Sequence, residues 1–459
     1  MLAAARVLGM SVWHSPVFMT WGAWGARALS FVTLLPLTLA LLPAEEVAVW
    51  FLFFSMQTLA ALVDFGFAPT FVRAVAYANA GAGSPGMDAV IRTMRSVYAR
   101  VALAGAFLAA VPGTFALWNP IAQLREPSHA WLAWAMMACA TVIWLRSLKY
   151  WAFLHGSERT AVLRRAEIAV GLSSLAVSCA VLLAGGGLAG LACIHLAAAV
   201  AGYALNRALA RRHAPAGAWD GPASAQPAVM HTVFPAAWRS GLGASITYGV
   251  VQGSGVFYAQ LAAAAEVASY LLALRLMQEM GAVSSVPLSA RLPALARLYA
   301  DGRRAEVVAL AGRGMLWGNW LFLGGVAALG VAGEGLLASI GGRTAFVPGE
   351  VWWLLGAAFL VERIGTLHLE LYGTTNRVAV HVANGVCGLV MIAAMALAYR
   401  WLGVAGLPLG MLAAYAGFYT PFSMRQSYRA FGLAARFDLA ASAAPLAICL
   451  GVLLAVLAR

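Results

Sequence analysis

Residues 165–185 read RAEIAVGLSSLAVSCAVLLAG, and residues 187–206 read GLAGLACIHLAAAVAGYALN. A helix of about 20 apolar residues crosses the hydrocarbon core of a bilayer. Each run is that long, and they stand back to back with no polar spacer. Arg164 and Arg165 flank one end of the pair and Arg207 the other, so both termini of the hairpin carry positive charge on one side of the membrane. The stretch is a pair of spanning helices, and it sets the reading of everything around it.

Outward from it, thirteen such runs cover 17–42, 47–70, 96–118, 130–153, 165–185, 187–206, 237–262, 266–290, 313–338, 350–373, 378–400, 404–424 and 438–458. The whole chain of 459 residues is 62% hydrophobic and 10% charged, against about 25% charged in a soluble domain. That balance excludes a soluble enzyme, a disordered chain and a disulfide scaffold. The fold class is an all-α polytopic membrane protein. The net charge of +13 does not imply nucleic acid as a partner, because the arginines punctuate apolar runs rather than forming one basic face. With a cytoplasmic N-terminus, twenty-three of the thirty Lys and Arg residues fall on the cytoplasmic side. Four (Arg125, Arg343, Arg400, Arg459) fall outside, and three lie within spans. Arg6 precedes the first span, which reads as an uncleaved start signal.

The connection 207–236 is rich in Ala, Pro and Gly and reads as a flexible cytoplasmic linker. It divides twelve spans into six and six: an N-terminal lobe over 1–206, a C-terminal lobe over 237–425, and an additional helix over 426–459. The five cysteines (Cys139, Cys179, Cys193, Cys387, Cys449) sit inside apolar runs as small hydrophobes, without metal-ligand spacing. There is no GxxxxGK[ST], HExxH or GxSxG, and the short outer loops offer little beyond isolated glutamates, so no catalytic residues, metal site or organic cofactor are expected.

Three arginines lie where charge is costly. Arg27, Arg275 and Arg363 each fall near the middle of a span, at about 2.5–3.5 kcal/mol apiece on the insertion scale, which marks a functional position by default. Together they are the candidate substrate-binding residues. A structural alternative stands beside each: Glu279 is four residues from Arg275 and could neutralise it, whereas Glu362 points about 100° away from its neighbour Arg363. Glu279, Glu362 and, nearer the cytoplasmic end, Asp64 are candidates for carrying a coupling H⁺ or Na⁺. Glu167 and Glu370 read as interfacial. Gln57, Gln252, Gln278 and Asn319 either meet hydroxyl groups of a ligand or bond between helices, and His195 reads as hydrogen-bonded structure. Small residues at Ala237, Gly241, Ser245, Gly249 and Gly253 read as close packing.

The halves echo one another. The first copy runs Asp64-Phe65-Gly66, Pro69, Arg73, Tyr77-Ala78-Asn79-Ala80-Gly81; the second runs Glu279-Met280-Gly281, Pro287, Arg291, Tyr299-Ala300-Asp301-Gly302. Both follow the second span of their half, as in a parallel repeat.

Leu62-Val-Asp-Phe-Gly-Phe-Ala-Pro-Thr-Phe-Val-Arg73, together with Arg27 and the stretch 286–302, resembles bacterial polysaccharide flippases of the Wzx type, within the multidrug/oligosaccharidyl-lipid/polysaccharide exporter superfamily. By architecture the resemblance covers roughly residues 15–425; the single span after residue 430 departs from the family's twelve or fourteen. It implies two six-helix lobes around a central cavity, with Asp64, Gly66, Pro69, Arg73 and Arg291 in a gate region. It implies a bacterial inner-membrane protein that moves an undecaprenyl-diphosphate-linked oligosaccharide to the periplasmic leaflet by alternating access. A polyprenyl-diphosphate-linked glycan and membrane lipid are the partners implied, alongside association with a polysaccharide polymerase or glycosyltransferases. An ion-coupled multidrug antiporter and a lipid II flippase are the alternatives on the same fold.

Overall fold

The computed structural model describes residues 16–79, 86–375, 380–434 and 436–458; Arg6, Ala80, Gly81, Arg377 and Arg459 lie outside them. Among these residues the secondary structure is helical, with no strand. The helices are α1 (Pro16–Leu41), α2 (Ala44–Ala61), α3 (Phe67–Asn79), α4 (Met87–Leu108), α5 (Thr114–Ala122), α6 (Pro127–Gly156), α7 (Thr160–Leu183), α8 (Gly187–His213), α9 (Pro227–Tyr258), α10 (Ala264–Ser289), α11 (Leu292–Ala300), α12 (Arg304–Ser339), α13 (Gly349–Gly373), α14 (Val380–Leu402), α15 (Gly406–Ala414), α16 (Thr420–Phe431) and α17 (Ala444–Leu457).

Nine described stretches are long and apolar enough to cross a membrane, so the chain is a multi-pass membrane protein. One of them, His381–Phe431, contains two rods that meet at the turn 403–405. Three further helices, α9, α10 and α13, have the length of a span but carry more charge or less apolar character than the others. Each of the thirteen apolar runs thus overlaps a helical rod, though several rods begin or end well outside the run that predicts them. Three rods contain a five-residue widening, at Ala109–Gly113, Tyr415–Tyr419 and Leu439–Ala443. Pro112 lies inside the first; having no N–H to donate, it makes the regular ladder unattainable there, and the wider turn accommodates the loss.

The chain forms two compact units: Met1–Gly241 with Ile340–Thr344, and Leu242–Ser339 with Ala345–Arg459. In the first, the hairpin of α7 and α8 turns through Gly185 and Gly187, whose φ of +79° and +58° are conformations that side chains resist. A core of Phe71, Tyr98, Leu145, Phe153 and Leu163 ties α3, α4, α6 and α7 together. In the second unit α13 is buried along nearly its whole length, with Trp352, Leu355, Leu360 and Leu367 at or near zero exposure. Cys387 and Cys449 are buried as expected, while Cys139 and Cys193 face outward.

The connection after α8 is not the free coil its composition suggests. Trp219 is buried against Tyr150 and Phe153, with ring centroids 4.8 and 5.6 Å away. Arg95 donates to the carbonyl of Gly221, and the Gln226 N–H donates to Thr93 Oγ1 at 3.0 Å. One large aromatic ring and two backbone contacts hold the segment on the first unit.

Candidate functional site

The Asp-Phe-Gly turn breaks the second rod. After α2 the chain passes through a short 3₁₀ turn, Leu62–Asp64, then Phe65 at φ +50° and Gly66 at φ +77°, and restarts as α3. The Asp64 carboxylate accepts from the Ala68 N–H at 3.1 Å, capping α3, and from the Tyr98 hydroxyl at 2.9 Å. The sequence reading of one continuous span over 47–70 is corrected by this break. Asp64, read as a coupling candidate, is placed as a helix cap. Pro69 falls in the first turn of α3, where a missing N–H costs nothing. Arg73 is exposed, its Nη2 3.4 Å from Thr70 Oγ1.

The repeat survives with a changed register. In the second unit the helix runs through Gly281 and Pro287 to Ser289 and breaks only before α11. Pro293 opens α11 as Pro69 opens α3, and Arg297 follows it by four residues as Arg73 follows Pro69. The structural partner of Pro69 and Arg73 is thus the pair Pro293 and Arg297, while Arg291 is the residue that precedes the helix.

Arg27 and Arg275 occupy matching positions along their own helices. Each is the twelfth residue of a 26-residue helix, roughly 16 Å from one end and 21 Å from the other. Arg27 is exposed, its guanidinium 5.8 Å from the centre of the Trp24 ring. Arg275 and Glu279 are half-buried on α10.

Arg363 differs from both. It is 8% exposed, and its Nη1 donates to the Gly281 carbonyl at 3.1 Å, bridging α13 to α10. Its Nη2 lies 3.5 Å from Glu362, so the two neighbours do meet in spite of their divergent directions along the helix. Glu362 also accepts from Thr366 at 2.5 Å, and Thr366 meets the Tyr419 hydroxyl at 2.9 Å. The Arg363 Nε remains buried without a partner. Gly281 lies six residues beyond Arg275, about 9 Å along α10, so the structure brings Arg363 and Glu362 together while holding Arg275 a helical turn and a half away.

Several polar side chains of the spans bond between helices. Gln57 meets His195 at 3.0 Å, Gln252 donates to Gln278 at 3.4 Å, and Asn319 donates to the Ala441 carbonyl at 2.7 Å. Glu370, read as interfacial, has one carboxylate oxygen buried without a hydrogen-bond partner.

One network escaped the sequence reading. His368 is fully buried; its Nδ1 lies 2.6 Å from Ser427 Oγ and its Nε2 3.1 Å from Asp438 Oδ1. Asp438, immediately before the last span, also accepts from Tyr428 and Ser442, each at 2.6 Å. Burial by itself would raise the Asp438 carboxyl; the hydrogen bond and charge of His368, with the two hydroxyls, outweigh it and hold the group below the ordinary carboxylate range. Serine, histidine and carboxylate are the parts of a hydrolytic triad. Here all three are closed off from solvent, and what they do is pin the C-terminal helix to α13 and α16. Among the described residues no group of three or more His, Cys, Asp or Glu side chains is arranged to hold a metal ion.

The lipid II flippase MurJ in an inward closed conformation matches with a TM-score of 0.66 at 12% identity, covering 96% of this chain and 93% of that one. An inward-facing multidrug resistance MATE family transporter of the MOP superfamily matches at 0.61 and 13% identity, covering 87% and 94%. This chain shares the fold of these two transporters. A MOP-superfamily transporter from Pyrococcus furiosus, described as having a binding pocket of reversed polarity, matches at 0.58 and 12% identity, covering 91% and 97%. No family model matches the sequence. No curated protein matches it.

Proposed function

We propose that the chain is a flippase for a polyprenyl-diphosphate-linked oligosaccharide, moving the headgroup across the bacterial inner membrane by alternating access. The observation that carries this reading is Arg27: a guanidinium exposed in the middle of an apolar spanning helix. Facing acyl chains it would cost several kcal/mol, so it faces water or an anion. A diphosphate brings about two negative charges into the bilayer, and guanidinium groups suit it through bidentate contacts. Arg27 and Arg275 are the headgroup ligands. Arg363, held by the Gly281 carbonyl and Glu362, sets the position of α10. Coupling to H⁺ or Na⁺, where it occurs, runs through Glu279 and Glu362, with Glu370 beside them on α13. A polysaccharide polymerase and glycosyltransferases are the partners that would receive and supply such a glycan.

The test is export of surface glycan in a host that depends on this chain, with protein level followed by immunoblot. The Arg27→Ala/Arg275→Ala double variant should abolish export at normal protein level, and Arg275→Lys should be impaired through loss of the bidentate contact. Normal export in the double variant would end the proposal; full activity of Arg275→Lys would reduce the residue's part to simple charge.

A further inference from the structure

The first unit contains a chamber that the proposed function has not used. Its volume is about 620 Å³, within the usual range for small-ligand sites. Trp144, Ser147, Leu148 and Trp151 supply one wall, spaced along a single face of α6. The opposite walls, on α7 and α8, carry small residues such as Ala166, Gly171, Ala198 and Gly202. Bulky rings facing small side chains leave the hollow between them. A second recess of about 400 Å³ shares Ala61, Trp144, Ala198 and Ala199 with it and adds Gln57, Thr58 and His195.

The lining has a specific chemistry. Trp144 is 40% exposed and lines both recesses with an aromatic ring. Donors and acceptors are mixed around it: Asn206 donates to Ser147 Oγ at 3.2 Å, and Tyr203, Asp64 and Glu167 complete the rim. Both carboxylates already have protein partners. Glu167 is paired with Arg164 at 2.6 Å, and Asp64 accepts from Ala68 and Tyr98. An organic cation would have to compete with those donors. A sugar ring needs what is present: an aromatic face for its C–H side, and neutral or neutralised hydrogen-bonding groups for its hydroxyls.

We propose that this chamber of the first unit binds sugar rings of the transported glycan. The inference rests on the flippase reading and adds a place for the sugar. Arg27 fits the arrangement: Gly22 on α1 packs against Ile168 on α7, and Arg27 lies five residues further on, about 7–8 Å along the helix. A diphosphate at Arg27 would leave its first sugars within reach of the Trp144 wall.

The experiment uses the full chain in lipid nanodiscs and a panel of free saccharides: glucose, N-acetylglucosamine, rhamnose, glucuronate and their disaccharides. Saturation-transfer-difference NMR reads binding. Tetraphenylphosphonium serves as the competing cation and sugar-free undecaprenyl diphosphate as the headgroup probe. At least one saccharide should bind, with affinity reduced tenfold or more in Trp144→Ala, reduced in Asn206→Ala, and partly restored in Trp144→Phe. Tetraphenylphosphonium should not displace it. Absence of Trp144-dependent binding across the panel overturns the proposal, as does a cation site that depends on Trp144. Diphosphate binding indifferent to Arg27→Ala and Arg275→Ala, with Trp144-dependent sugar binding intact, would overturn the flippase reading and leave the chamber as a sugar site.

Discussion

Removing the Asp438 carboxylate should cost the C-terminal helix its anchor. In the structure Asp438 is 6% exposed and accepts from Tyr428 and Ser442 while facing His368 Nε2. Asp438→Ala leaves an imidazole nitrogen and two hydroxyls buried without their acceptor. Breaking a buried pair by deleting one partner costs about 3–5 kcal/mol. For a folding unit of this size that corresponds to a fall in Tm of roughly 6–20 °C. Asp438→Asn keeps the shape and one acceptor oxygen and should lose less. The assay is thermal unfolding of the purified protein in detergent, followed by the loss of its monodisperse chromatographic peak. A double-mutant cycle with His368→Ala should show coupling above about 1 kcal/mol. The pH dependence has a definite sign. Because the folded carboxyl is held below its ordinary range, its contribution is fully present above about pH 4. It fades as the pH falls through the lowered folded value. The wild-type advantage over Asp438→Asn should therefore shrink as the pH falls below about 4. A Tm within 2 °C of wild type for Asp438→Ala, or strict additivity with His368→Ala, would refute the anchoring role.

Gly66→Ala forces a Cβ into a left-handed conformation at φ +77° and should destabilise by about 1–2 kcal/mol, read as a lowered Tm with the oligomeric profile unchanged. Gly156→Ala places a Cβ 2.5 Å from the Val72 carbonyl and 2.7 Å from Val75, so α3 must move off α6; overpacking of this kind costs about 1–3 kcal/mol and should lower expression of folded protein. Trp219→Ala removes the ring that docks the connection after α8, and cleavage by trypsin at Arg211–Arg212 should accelerate several-fold; an unchanged rate would mean the segment is held by its backbone contacts alone.

The rods were legible because apolar run length is a property of adjacent residues, and the arginines that frame 165–206 report the same hairpin a second time. The break at Asp64-Phe65-Gly66 was not legible as a break: a carboxylate followed by two left-handed residues inside an apolar run reads as a buried charge until Ala68 and Tyr98 are seen to meet it. The repeat misled for a related reason. Pro287 was aligned with Pro69, but the helix carries Pro287 internally and stops later, which moves the correspondence to Pro293 and Arg297. Residues 214–226 looked flexible because their Ala, Pro and Gly content outweighs a single Trp in any average, while it is that Trp which binds them down. Partners far apart in the chain leave no trace in local pattern. His368 and Asp438 are 70 residues apart, and Gln57 and His195 are 138 apart.

Those distant partners change the electrostatic argument about the ligand. Counted along the sequence, Arg27, Arg275 and Arg363 outnumber Glu279 and Glu362 by one, too narrow a margin to choose between an anionic and a cationic substrate. In the structure the carboxylates are largely engaged within their own units: Asp64 caps α3, Glu167 holds Arg164, and Glu362 accepts from Thr366 and faces Arg363. A carboxylate already satisfied by protein donors is a poor countercharge for an incoming cation, since binding would have to break those bonds first. Arg27 lies on a helix that contains no Asp or Glu, and it is exposed beside the Trp24 ring. Local satisfaction thus lowers the negative charge that a ligand would meet at Asp64, Glu167 and Glu362, which is the balance that the proposed phosphate headgroup calls for.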